Sequence, residues 1–185
     1  VYAVTMAMER NPEAVAAMVE AGWEIASHGY RWIDYAGMPI EEERAQLART
    51  LEVHQRMTGS RPLGWYCGRY SANTRNLIAE EGGFLYDSDD YSDELPFWTK
   101  VAGKPYLIVP YGLDANDFRY AMPQGFNSGD QFYSYCKDSF DFLYAEGGTA
   151  PRMLNIGLHC RISGRPGRAA ALARFLDYVG GHRHV

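Results

Sequence analysis

Two histidines, His28 and His159, each stand directly after a short apolar run, Trp23–Ser27 and Met153–Leu158. An imidazole at the end of a strand can move protons near neutral pH or hold a metal. An acidic trio, Asp87, Asp89 and Asp90, follows a third apolar run. Such a trio reads equally as a solvated turn with Asx capping or as carboxylates that orient a basic partner, Arg69 being a candidate. Cys160 adjoins His159, but with only Arg161 beside it the thiol reads as buried and inert rather than nucleophilic.

These residues need a frame that brings strand ends together. Asn11-Pro12-Glu13 reads as a helix start, with a capping residue, a proline at the first helical position and an acid in the first turn; Gly22 ends that helix. Further helices are expected over about Pro39–Met57, with Ile40, Leu47, Leu51 and His54 on one side, and over Asn73–Glu81, Ser128–Ala145 and Pro166–Val179. Ser128 and Gln131 form a capping-box pattern. Strands are expected at Val1–Thr5, Trp23–Ser27, Pro62–Tyr66, Phe84–Tyr86, Tyr106–Pro110 and Met153–Leu158. Alternation of this kind implies a parallel sheet covered by helices. With no glycine-rich phosphate turn after an early strand and polar clusters past several strands, a barrel-type α/β site is favoured over a dinucleotide-binding sheet.

Composition narrows the function classes. The chain has 185 residues, 46% hydrophobic and 22% charged, with net charge −5. That suits one globular domain, residues 1–185, with no linker or repeat to split it. No apolar run reaches the roughly 18 residues of a membrane span. A basic face for nucleic acid is absent; the one dense basic group is Arg161, Arg165 and Arg168, in a Gly/Pro stretch. That stretch reads as solvated arginines or as an anion site at the helix near Pro166. Three cysteines, Cys67, Cys136 and Cys160, fit neither a disulfide framework nor a metal spacing, which points to a reducing, cytoplasmic setting. The apolar opening and the last helix pattern suggest a fragment.

Four segments carry a resemblance. Glu24-Ile25-Ala26-Ser27-His28, Gly64-Trp65-Tyr66-Cys67-Gly68-Arg69, Asp87-Ser88-Asp89-Asp90-Tyr91 and Leu158-His159 resemble, in order and spacing, motifs of the polysaccharide deacetylase (NodB-homology) family. The resemblance implies a distorted (β/α) barrel, incomplete at both ends here, because the motif with the family's paired aspartates would precede Val1. In that family a second histidine ligand follows the first by about four positions, where this chain has Trp32. An indole has an N–H donor and no lone pair for a cation, whereas a catalytic zinc normally keeps three protein ligands. Longer stretches, Ser27–Ile33, Arg61–Tyr66, Leu85–Asp89, Pro123–Asn127 and His159–Arg168, resemble the metal-independent allantoinase branch. That branch opens the hydantoin ring of allantoin to allantoate and suggests a homotetramer.

The resemblance therefore implies a cyclic-amide hydrolase with no cofactor and a small ureide substrate. His159 is expected to protonate the leaving nitrogen and His28 to position or deprotonate water, together with a carboxylate upstream of this chain. Trp32, Trp65 and Tyr66 are expected to line the pocket, although Trp65 reads equally as core. Arg69 is expected to bind a carbonyl or ureido group, braced by Asp87 or Asp90. Two alternatives remain open: a metal-dependent chitin- or peptidoglycan-type deacetylase, with zinc or another divalent ion, and a non-catalytic binding module.

Overall fold

The computed structural model describes residues 1–185. The chain forms two compact units, one of Val1–Asp90 and Pro96–Pro110, the other of Tyr91–Leu95 and Tyr111–Val185. The first unit is an α/β layer structure. Its elements run β1 (Tyr2–Ala3), α1 (Thr5–Arg10), α2 (Pro12–Glu20), β2 (Ala26–Ser27), α3 (Ile40–Thr58), β3 (Gly64–Trp65), α4 (Thr74–Glu81), β4 (Tyr86–Asp87), β5 (Phe97–Val101) and β6 (Lys104–Ile108). They build an open, mixed six-stranded sheet in the order β1-β2-β3-β4-β6-β5, parallel throughout except that β5 runs antiparallel to β6.

The parallel strands are short, and helices replace some of the expected strand residues. Val1–Thr5 yields only β1, because Thr5 and Met8 turn inward one helical turn apart and start α1. In α3 the buried side is Glu43, Leu47, Thr50, Val53 and His54. Ile40, expected on that side, lies exposed in the first turn. His54 is buried, with Nε2 2.8 Å from the Ile25 carbonyl and Nδ1 2.8 Å from that of Ser60. It thus ties α3 to the residues that enter β2. Glu43 accepts from Ser71 at 2.6 Å and from Thr74, securing the start of α4.

Gly64 shows how tightly the ladder is packed. It pairs in register with Tyr86, and a Cβ there would come within 2.0 Å of the Tyr86 ring. Gly64→Ala in the full-length protein is therefore expected to cost about 1–3 kcal/mol by overpacking. It should read as a lower urea midpoint with an unchanged slope.

The second unit holds a 3₁₀ turn at Asp117–Ala121, α5 (Gly129–Gly147), α6 (Cys160–Ser163) and α7 (Pro166–Gly180). Phe126, Phe132, Cys136, Phe140 and Phe175 form its core. The capping pattern at Ser128 is realised: its hydroxyl accepts from the Gln131 amide at 3.3 Å, while Gln131 reaches back to the Asn127 amide at 2.6 Å. Met153–Leu158 is not a strand. Leu154 and Ile156 pack against the core, but pairing is limited to one parallel bridge, Asn116 with Gly157. No helix is long and apolar enough to cross a membrane.

Candidate active site

Within the first unit, three adjacent parallel strands deliver their polar successors to one edge. The backbone ladder continues past their ends through His28 N–H to Ala3 O (2.9 Å), Tyr66 N–H to Ser27 O (3.0 Å) and Ser88 N–H to Trp65 O (2.8 Å). His28, Tyr66 and Ser88 thus occupy equivalent positions. The Tyr66 ring centroid lies 5.2 Å from both His28 and Tyr2, and the Tyr2 hydroxyl meets Ser88 Oγ at 2.8 Å. Gly29, at φ 71°, turns the chain after His28; a Cβ there would press on the Tyr35 hydroxyl at 2.8 Å.

The acidic trio is a buried brace rather than a solvated turn. Asp89 accepts from the Cys67 amide at 2.9 Å and the Gly68 amide at 2.7 Å, pinning the loop that follows Tyr66. Asp87, 1% exposed, accepts from the Asp89 amide at 2.8 Å, the local capping that an Asx turn predicts. Its basic partner is Arg75, not Arg69. Arg75 donates Nε to Asp87 at 2.9 Å and one terminal nitrogen to the Asp89 carbonyl (2.7 Å) and to Asp90 (3.1 Å). Burial pushes the Asp87 carboxyl above its usual range, opposed by the Asp89 amide and by Arg75. Burial likewise pushes the Cys67 thiol up, with Asp89 adding to it, so that thiol stays protonated.

Arg69 is placed elsewhere. Its guanidinium carbon lies 4.4 Å above the ring of Trp32, a cation–π stack on an indole that is 54% exposed. Trp65 is core: it is 3% exposed and meets Phe84 edge-on at 5.6 Å. It therefore drops out of the pocket-lining set, because β3 turns its side chain inward while Tyr66 follows the strand end. Trp32 stays exposed, whereas Tyr66 is itself only 9% exposed, its ring packed beside His28 and Tyr2.

In the second unit, His159 is held by a residue that the sequence did not single out. Asp117, 0% exposed, places Oδ1 2.6 Å from His159 Nδ1, while its Oδ2 accepts from the His159 amide at 2.7 Å and from Ser163 Oγ at 2.6 Å. Asp117 is itself fixed by its amide bond to Gly157 O at 2.9 Å. A Cβ on Gly157 would come 2.2 Å from the Asn116 amide nitrogen, so this close approach requires glycine. With Nδ1 engaged, Nε2 is the nitrogen left for proton transfer.

Cys160 is exposed, contrary to the expectation of a buried thiol, because α6 turns Ile162 and Ser163 inward instead. The expected arginine group lies around the start of α7. Arg161 lies in α6 and Arg165 precedes α7, while Arg168 folds onto Tyr120 at 4.3 Å and donates to Ile162 O at 3.4 Å. Arg75 and Asp117 had no local signature, since their partners are 12–15 and 42 residues away.

By the family resemblance, a bound zinc of the deacetylase kind would ask for a second imidazole about four positions beyond His28. The residue there, Trp32, carries a guanidinium on its face and has no lone pair to give. The donors of this segment do not fit such an ion.

Residues 1–85 match the family model described as polysaccharide deacetylase. A Schizosaccharomyces pombe protein provisionally named as a polysaccharide deacetylase is 43% identical, over 96% of this chain and 61% of its own length. The Helicobacter pylori peptidoglycan deacetylase is 28% identical over 64% of this chain and 41% of its own. Among solved structures, the crystal structure of PuuE allantoinase superposes with a TM-score of 0.96 at 55% identity, covering 100% of this chain and 62% of that one. A Pseudomonas aeruginosa PAO1 protein named as a polysaccharide deacetylase superposes at 0.95 with 56% identity, covering 99% and 62%. The chain thus spans about three-fifths of the length of the S. pombe protein and of these two solved structures.

Proposed function

We propose that this chain, which carries a polysaccharide deacetylase domain over residues 1–85, is part of a hydrolase that opens the hydantoin ring of allantoin to allantoate. The observation that carries this reading is Trp32, an exposed indole under a guanidinium where the metal-dependent members need an imidazole. A flat aromatic face beside fixed N–H donors suits a planar ureide better than a flexible glycan. The likeness to an allantoinase at 55% identity over the whole chain supports the same reading.

The roles follow from chemistry. Water adds to the ring carbonyl carbon while its proton passes to a base, for which His28 is proposed. The carbonyl oxygen becomes an oxyanion, and each well-placed donor to it is worth about 3–4 kcal/mol. The C–N bond then breaks with its electron pair going to nitrogen, which takes a proton from His159 Nε2 and leaves a carboxylic acid that ionises. Arg69, its guanidinium carbon 4.4 Å from the centre of the Trp32 ring, is proposed to direct N–H groups at a carbonyl or ureido oxygen. The proposal assigns no step to a cation.

The second reading, a metal-dependent N-deacetylase, has the H. pylori relative in its favour. The test is to incubate the full-length protein with allantoin and with N-acetylglucosamine oligomers, each with and without chelator. Allantoate formation indifferent to chelator is expected. Acetate release abolished by chelator, with allantoin untouched, would replace the first reading by the second, and no turnover of either would leave only a binding role.

A further inference from the structure

β5 is the last strand of its sheet and pairs on one side only, with β6. The two strands meet across Ala102-Gly103, both at positive φ, the arrangement of a two-residue hairpin turn. In that geometry Val101–Lys104, Thr99–Tyr106 and Phe97–Ile108 are the hydrogen-bonded pairs. The N–H and C=O groups of Trp98 and Lys100 therefore point away from β6. Both side chains stand on the exposed face, Trp98 with 69% of its surface open. No bulge and no proline lies within β5, and Lys100 is its one charged residue.

We propose that this edge is an interface between two copies of the chain, β5 pairing antiparallel with β5 of the second copy about a twofold axis at Thr99. The residue order selects both the partner and the register. An axis at Lys100 would set two ammonium groups opposite each other. An axis at Trp98 would set Lys100 against Pro96, which has no N–H to give. The axis at Thr99 engages the outward N–H and C=O of Trp98 and Lys100 in both copies. It also places each Trp98 ring across from the other copy's Lys100, a cation–π pair made twice, with Thr99 facing Thr99 between them. Such an isologous contact closes on itself and joins two six-stranded sheets into one.

Two measurements on the full-length protein test it. In a Cys160→Ser background, Thr99→Cys puts two thiols across a non-hydrogen-bonded pair, where Cα atoms lie about 4.5 Å apart and a disulfide fits. Mild oxidation should give a covalent dimer with Thr99→Cys and not with the exposed control Glu94→Cys. Independently, Trp98→Lys should raise the dimer dissociation constant about tenfold in sedimentation equilibrium by facing lysine with lysine. Adding Lys100→Glu should restore association by turning each pair into an ion pair. Equal cross-linking at both cysteine positions, a wild-type protein that is monomeric at tens of micromolar, assembly indifferent to Trp98→Lys, or weakening that Lys100→Glu does not relieve would each overturn the proposal.

Discussion

Asp117→Asn is expected to lower kcat by about 10²- to 10⁴-fold with little change in KM. The carboxylate serves three donors at once: the His159 imidazole, the His159 amide and the Ser163 hydroxyl. An amide in its place can keep its oxygen on the last two and must then turn its NH2 toward Nδ1. That nitrogen would have to accept, and the ring proton would shift to Nε2. A neutral ring fixed in that tautomer is a far weaker acid for the departing nitrogen. Nitrogen-15 NMR of labelled histidine should show the tautomer change directly, a signal that a merely structural defect would not produce. Unchanged turnover, or an unchanged tautomer with lost activity, would remove Asp117 from its positioning role.

Arg75→Met in the full-length protein is expected to cost about 3 kcal/mol at neutral pH, the range for breaking a buried ion pair by removing one partner. Asp87 is almost wholly enclosed, and Arg75 also holds Asp90 and the Asp89 carbonyl. The pH dependence has a definite direction. Burial already raises the Asp87 carboxyl above its unfolded value, and loss of Arg75 raises it further. A raised carboxyl binds its proton more tightly in the folded state. Its effect thus favours folding at low pH and is lost as pH rises through the folded value. The deficit of Arg75→Met relative to the wild type should therefore shrink on acidification toward the ordinary carboxylate range. Urea denaturation across that range measures it, and a deficit that grows with acid, or none at neutrality, contradicts the brace. Because Asp89 pins the amides after Tyr66, the same variant should also loosen that loop and raise KM.

Much of the candidate site edge was legible because strand ends announce themselves locally. An apolar run followed by His28, by Tyr66 or by the acidic trio marks where a strand stops and polar groups begin, and the parallel ladder places those successors side by side. Helix starts with proline or a capping serine were equally plain, since the groups that satisfy the first turn lie within a few residues. The family resemblance also marks Trp32 as the departure from a metal-binding pattern, because ligand identity is a property of single positions.

Tertiary structure decided the rest, and the reason is distance along the chain. Which guanidinium neutralises the buried acids depends on the face that α4 turns to β4, so Arg75 takes the role that proximity in sequence had offered to Arg69. Asp117 reaches His159 only because the chain doubles back at the Asn116–Gly157 bridge. The inward turn of Trp65 and the outward turn of Cys160 likewise follow from packing around them, which residue type alone does not specify. Local pattern set the elements and the candidate chemistry; long-range burial and charge pairing selected which side chains serve it.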